Sequence, residues 1–287
     1  MSRRNNRKRE GVVGAILAFP DGILTLCCFA VPLVVIVLYS FWKIDLTTFT
    51  VTTNWNLGNY GDIFKSIYLQ ALLRSILITL ATVVGCLLLG LPIAYFIASC
   101  KGKLQLLMIG AIVIPFWTSF VVRTYAWLEL LGAHGVITQA LVHMHLVADG
   151  TDLRYSTTAV IIGMVYSYLP MMILPVYSTF EQLDQPLLEA AADLGKTPSQ
   201  AFFQIVMPSC GGGIVAGSLL MAIPALGEYT IPAILGGSKT LMIGNVIASE
   251  FQTTGNYPRG AALSSVLMVA VLLIIIGKQI MQWRKVR

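Results

Sequence analysis

Glu228 stands out chemically in this sequence. It is a carboxylate inside the apolar block 211–236, with Gly227 before it and Pro224 and Pro232 to either side. At mid-span an acidic group is disfavoured by about 2.5–3.5 kcal/mol on insertion scales, so it must face a partner or a water-filled path. The glycine and the two prolines predict a helix broken there, which a bilayer tolerates where the backbone lines a cavity. Two chemistries suit such a group. One is attraction of an amine cation, with Tyr229, Trp117 or Trp127 adding cation–π contact. The other is an internal ion pair, for instance with Arg123, which also falls near the end of its apolar block. Residue types alone leave both open.

Other groups offer less. His143 and His145, with His134 nearby, are spaced i, i+2, which points helical ligands apart, and no Cys or carboxylate completes a set. No metal site is expected. Gly236-Gly237-Ser238-Lys239-Thr240 echoes a phosphate loop but lacks the Gly-Lys pair and the upstream glycine. Catalytic constellations are absent, so the chain is not expected to be an enzyme or to hydrolyse ATP. Cys27 and Cys28 adjoin inside one apolar run, Cys86 is mid-span, and Cys100 and Cys210 fall on the expected cytoplasmic side, where thiols stay reduced. All five read as packing residues. Phe116, Trp117, Tyr125 and Trp127 read as an interfacial belt more readily than as pore lining, and Gly213 with Gly217 as a helix-packing pair.

The elements that must carry these residues follow from composition. Of 287 residues, 11% are charged and 56% hydrophobic, whereas a typical globular chain is about 25% charged. The apolar residues form six blocks, roughly 12–41, 70–98, 104–127, 157–179, 211–236 and 260–282, several of them near the ~20 residues that cross a bilayer as a helix. The expectation is an all-α polytopic membrane protein with six transmembrane helices. The first block is long enough to tilt, or to start as an interfacial helix before Pro20 and Asp21 and span afterwards. It resembles a signal peptide but is too long for one and lacks a cleavage site, so an uncleaved span is expected.

The net charge of +6 is concentrated at the ends, in Arg3, Arg4, Arg7, Lys8 and Arg9 and in Lys278, Arg284, Lys285 and Arg287. No basic stripe is interleaved with stacking aromatics, so nucleic acid is not an expected partner. With both termini inside, twelve of the 19 Lys and Arg residues fall on the inner side and seven outside, which favours an N-in, C-in orientation. The resulting organisation is a basic cytoplasmic N-terminus at 1–11, one transmembrane domain at 12–282 and a basic cytoplasmic tail at 283–287.

The inner segment between the fourth and fifth blocks is more than a connector. Asp184 can cap a helix with Pro186 in its first turn, and Leu183, Leu187, Ala191 and Leu194 form one apolar stripe. Gly195 suits a left-handed helix end. Thr197, Pro198, Ser199 and Gln200 then read as a capping box, Phe202, Phe203, Ile205 and Val206 as an apolar face, and Pro208 as a stop. Two short helices around a glycine bend, apolar yet outside the membrane, suit docking to another protein.

This segment resembles a known pattern. Glu189-Ala190-Ala191, then Gly195, Ile205 and Met207-Pro208, is similar in type and spacing to the EAA loop of ATP-binding-cassette importer permeases, with Met207 a conservative departure from the usual Leu-Pro. Ile114-Pro115-Phe116-Trp117-Thr118-Ser119-Phe120-Val121-Val122-Arg123-Thr124-Tyr125 resembles the end of the third span in the polyamine (spermidine/putrescine) branch. Gly227-Glu228-Tyr229-Thr230-Ile231-Pro232, with Gly236-Gly237 and Leu241-Met242-Ile243-Gly244-Asn245, resembles its fifth span and following loop. The resemblance covers about 60–282; the first span is less diagnostic.

The resemblance implies a type I (MetI-like) importer permease fold in the bacterial inner membrane. It implies a coupling loop at 181–209 seated on an ATPase dimer, with Glu189 as a polar contact, Ala190 and Ala191 allowing close approach, and Gly195 as the bend. Further partners implied are a second permease, homologous or identical, an extracytoplasmic solute-binding protein, and membrane lipid. The chain itself needs no cofactor; ATP with magnesium belongs to the ATPase. The same machine carrying an amino acid, an opine-like compound or ferric iron is the first alternative. A secondary carrier is the second, although no inverted repeat is visible.

Overall fold

A computed structural model of the protein describes residues 2–45, 48, 50–183, 193 and 195–286. From the N-terminus come α1 (Ser2–Ser40), β1 (Lys43–Asp45), β2 (Thr50–Thr52), α2 (Gly58–Asp62), α3 (Ser66–Ser99), α4 (Lys103–Val113), a 3-10 turn (Ile114–Trp117), α5 (Phe120–Leu130), α6 (Val136–His143) and α7 (Thr157–Glu181). Next are α8 (Pro198–Ala201), a π-helical turn (Phe202–Val206), α9 (Met207–Ser209), α10 (Gly211–Leu226), α11 (Thr230–Leu235), α12 (Ile243–Gln252) and α13 (Tyr257–Val286). Two compact units result: Met1–Lys65 with Ile247–Arg287, and Ser66–Val246.

Among the described residues, four stretches are long and apolar enough to cross a bilayer as single helices: Gly22–Ser40, Ser66–Ser99, Thr157–Glu181 and Tyr257–Ile280. Two further crossings are bent pairs, Lys103–Trp117 with Phe120–Leu130 at 97° and Phe202–Ser209 with Gly211–Leu226 at 61°. α1 is helical from Ser2, and Gly22–Ser40 is the part of it that meets this test. The block 104–127 is not the continuous span expected of it. Pro115 has no N–H to continue α4, so the chain tightens into the 3-10 turn and leaves it through extended Thr118, whose hydroxyl donates to the Pro115 carbonyl at 2.6 Å.

Outside the crossings the chain is not wholly helical. β1 and β2 pair antiparallel, Lys43 with Thr52 and Asp45 with Thr50, because β-branched Ile44, Thr50, Val51 and Thr52 suit a short pleated ribbon. In the unit formed by Met1–Lys65 and Ile247–Arg287, Asn59 closes the end of α1 by donating to the Ser40 carbonyl at 2.9 Å and the Trp42 carbonyl at 2.8 Å. Arg259 reaches Asp62 at 2.9 Å and Glu250 at 3.9 Å. The hydrogen bond from Lys65, with Arg259 beside it, holds the Asp62 carboxyl below its ordinary range.

In the unit Ser66–Val246, α7 is the central element. α3 lies parallel to it: the Cys86 thiol donates to the Val165 carbonyl, and Tyr95 meets Phe180 edge-on near the C-terminal ends of both helices. α10 and α11 run antiparallel to α7. Gly213 lies against Pro175 and Thr179, Gly217 against Met172, and Thr240 reaches Thr157 at 3.2 Å near the far end. Hydrophobic burial gives little drive between helices in lipid, so close backbone approach must supply it. A Cβ on Gly217 would lie 3.2 Å from the Met172 carbonyl oxygen, so glycine is what allows that distance. Met164, Met172, Ile173, Met221, Ile231 and Leu235 fill the core between these helices.

Candidate functional site

α10 stops at Leu226, and α11 starts at Thr230, so the fifth crossing breaks at Gly227, Glu228 and Tyr229 as its glycine and prolines predict. The carboxylate of Glu228 holds the break together. Its Oε1 accepts from the backbone N–H of Thr230 at 2.8 Å and of Ile231 at 3.3 Å, two donors that would otherwise be unsatisfied at the start of α11. Its Oε2 accepts from the hydroxyl of Tyr168, on α7, at 2.6 Å. Tyr168 is 6% exposed, while Glu228 is only half-buried. One acidic side chain thus caps a helix and is tethered to the central helix while the residue remains half-buried.

The segment after α11 secures the same break. Asn245 Nδ2 donates to the Tyr229 carbonyl at 2.8 Å, and its Oδ1 accepts from Met242 N–H at 3.2 Å. Gly244 lies so close that a Cβ there would be 2.5 Å from the Gly227 oxygen and 2.6 Å from that of Glu228. Ile243 N–H donates to Ser75 Oγ on α3 at 2.7 Å. Tyr168 and this clamp are invisible to sequence spacing. Asn245 and Gly244 lay inside a motif already picked out, but their contact with the break depends on the turn between α11 and α12.

The ion pair considered for Glu228 does not form. Arg123, at the start of α5, instead places its guanidinium carbon 4.3 Å from the centroid of Phe116 and 5.9 Å from that of Phe120. Its Nε and Nη1 are buried without a hydrogen-bond partner. The sharp bend after Trp117 folds Phe116 back over α5, and cation–π contact takes the role expected of a carboxylate. Trp117 is 85% exposed. Trp127 packs on Tyr166 of α7 with centroids 5.3 Å apart, and Tyr229 is exposed beside Glu228. α11 packs on both α5 and α7, so the aromatic-rich α5 and the break share one neighbourhood.

On the inner side, Glu189, Ala190 and Ala191 lie outside the described residues, as do Asp184, Pro186, Leu187 and Leu194. Gly195 adopts φ +78°, the left-handed bend its position suggested. The capping box is present: Thr197 N–H donates to Gln200 Oε1 at 3.0 Å, and Gln200 N–H to Thr197 Oγ1 at 3.4 Å. Phe202 packs edge-on against Tyr95 at 5.2 Å, and Val206 is buried, whereas Phe203 is 67% exposed. Ile205 is half-buried, and Pro208 is exposed. The helix ends at Ser209, one residue past Pro208. The π turn at Phe202–Val206 widens the backbone just ahead of the proline ring, and the chain bends by 61° after Ser209.

The remaining candidates are placed as follows. Among the described residues no three of His, Cys, Asp and Glu converge as a metal site, and Gly237–Lys239 is a 3-10 turn. Cys86 and Cys210 are buried and Cys100 is half-buried, whereas Cys27 and Cys28 are exposed on α1.

A polytopic helical protein with bent crossings, a crossing broken at a carboxylate and a left-handed Gly195 ahead of a short capped helix has the build of a transport permease. Residues 90–283 match the family model for the binding-protein-dependent transport system inner membrane component, and the chain belongs to that family. It is 36% identical over 284 residues to the spermidine/putrescine transport system permease protein PotB of Salmonella typhimurium, covering 99% of this chain and 96% of that one. To PotB of Haemophilus influenzae it is 40% identical over 217 residues, 76% of each chain. Its fold is that of a crystallised bacterial ABC transporter involved in import of the acidic polysaccharide alginate, with a TM-score of 0.71 at 17% identity over 99% of both chains. The protein is a multi-pass, non-catalytic permease subunit of an inner-membrane ABC importer, working with a separate ATPase and a solute-binding protein.

Proposed function

We propose that this chain forms half of the translocation path of a polyamine importer, in an N-in, C-in orientation, with a second permease, homologous or identical, as the other half. The observation that carries the reading is the half-buried Glu228 carboxylate at the helix break, in a chain similar from end to end to spermidine/putrescine permeases. A carboxylate on a half-buried residue suits an ammonium group, and exposed Tyr229 is its chain neighbour. Trp127, on neighbouring α5, and Trp117, on the turn before it, would supply further aromatic faces. Arg123 is turned onto Phe116, which keeps its like charge from competing for Glu228.

An extracytoplasmic binding protein delivers substrate to the 42–69, 128–156 and 237–259 segments. Inside, an ATPase dimer grips the 181–209 loop, with Glu189, Ala190, Ala191, Gly195, Ile205 and Pro208 at the coupling surface; ATP and magnesium are consumed there. Closure of the ATPases drives the paired bundles from inward- to outward-facing, the work coming from differential ATP affinity for the two states. An inside-negative potential already favours cation entry by about 2.3 kcal/mol per charge per 100 mV, and ATP adds steepness and direction. The test is ATP-dependent uptake of spermidine and putrescine into vesicles holding the assembled transporter. Glu228→Gln should cut uptake while the ATPase still co-purifies; undiminished uptake would remove Glu228 from the path.

A further inference from the structure

The pairing of Tyr168 with Glu228 reaches beyond the residues that composition or motif pick out. The tyrosine sits at the middle of α7, is buried, and directs its hydroxyl at one oxygen of the carboxylate. The other oxygen is committed to the two N–H groups at the start of α11. Without the hydroxyl, the carboxylate could turn about its last bond, and Oε2 would lose its fixed direction. With it, the plane of the carboxylate is set by both ends, and the free lone pairs of Oε2 point one way. Tyr168 cannot meet substrate through its ring, because the ring is buried against the core.

We infer that Tyr168 is the positioning residue of the amine site: it acts through Glu228, fixing the direction in which Oε2 is offered to an ammonium group. The inference rests on Glu228 lying in the substrate path. The bond also links the break to α7, the helix against which both halves of the broken crossing pack.

The experiment uses the full transporter in vesicles with saturating, substrate-loaded binding protein, and reads amine moved per ATP hydrolysed. Tyr168→Phe removes one hydroxyl and little volume. The amine-to-ATP ratio should fall by about tenfold or more, the share of a hydrogen bond to a charged group, while stimulated ATP hydrolysis is largely kept. In a Glu228→Gln background the same substitution should change the ratio by less than about twofold, since both changes act through one group. Glu228→Asp keeps the charge but withdraws it by roughly 1.5 Å, one carbon–carbon bond, and should reproduce the fall even if Tyr168→Phe fails to assemble. An unchanged ratio in Tyr168→Phe or Glu228→Asp, or an equal fall in both backgrounds, overturns the inference. Wild-type vesicles that move neither amine overturn the polyamine reading and this inference with it; wild-type uptake with an unshifted variant overturns the inference alone.

Discussion

Gly244→Ala is a sharp probe of the clamp on the broken helix. The added methyl carbon would lie 2.5 Å from the Gly227 oxygen, 2.6 Å from the Glu228 oxygen and 3.0 Å from the Glu228 carbonyl carbon. All three are backbone atoms and cannot rotate aside. To reach the ~3.3 Å of a tolerable C–H···O contact, the segment must withdraw by roughly 0.8 Å. The Asn245–Tyr229 hydrogen bond, 2.8 Å long, would then stretch to about 3.6 Å and be lost. Overpacking contributes about 1–3 kcal/mol and the lost bond about 0.5–1.5 kcal/mol, so a destabilisation of roughly 2–4 kcal/mol is expected. Thermal unfolding of the solubilised transporter should drop by ~5 °C or more, with uptake reduced in parallel. Gly277→Ala, whose methyl would meet nothing within 4 Å, is the control and should leave both intact. A Gly244→Ala protein that melts and transports like the wild type would refute the clamp.

Two further expectations concern other parts of the chain. At Gly195, φ +78° disfavours a β-carbon by roughly 1–2 kcal/mol, though nothing crowds the position, so Gly195→Leu should assemble but uncouple hydrolysis from uptake. Gly195→Asn should retain more coupling, and normal stimulated turnover in the Leu variant would count against the bend as a lever. Asp62, whose carboxyl Lys65 and Arg259 hold below its ordinary range, stabilises the fold above about pH 4, and that contribution disappears as pH falls through the depressed folded value. Asp62→Asn should be less stable at neutral pH and show a shallower loss on acidification, and identical pH–melting curves would exclude the linkage.

Much was legible in the residues because a bilayer enforces simple rules. Backbone polar groups in lipid must be satisfied within helices, so apolar blocks of sufficient length mark the crossings. Local stereochemistry reads equally well: Gly227 with its flanking prolines marked the break, Gly195 the left-handed bend, and Thr197 with Gln200 a reciprocal cap. Prediction failed where a local rule met a neighbouring one. Pro208 was expected to end a helix, and the helix does end beside it, but the π turn that precedes it was not read from the residues. The block 104–127 passed every test of length and hydropathy, yet Pro115 and the extended Thr118 fold it through 97°.

The partners of the charged groups belong to the tertiary structure. A carboxylate in an apolar block announces that it has a partner, because burying it alone is too unfavourable, but nothing in its spacing names that partner. One candidate was Arg123, also near the end of its span. The fold instead turned Arg123 onto Phe116 and gave Glu228 a tyrosine sixty residues away, together with the N–H groups of the helix that follows it. Membership in a helical, membrane-spanning permease family is written in composition and short motifs, since those reflect solvent and local backbone geometry. Which atoms meet at the break is decided by how α7, α10 and α11 pack, a long-range property that one-dimensional order does not encode locally.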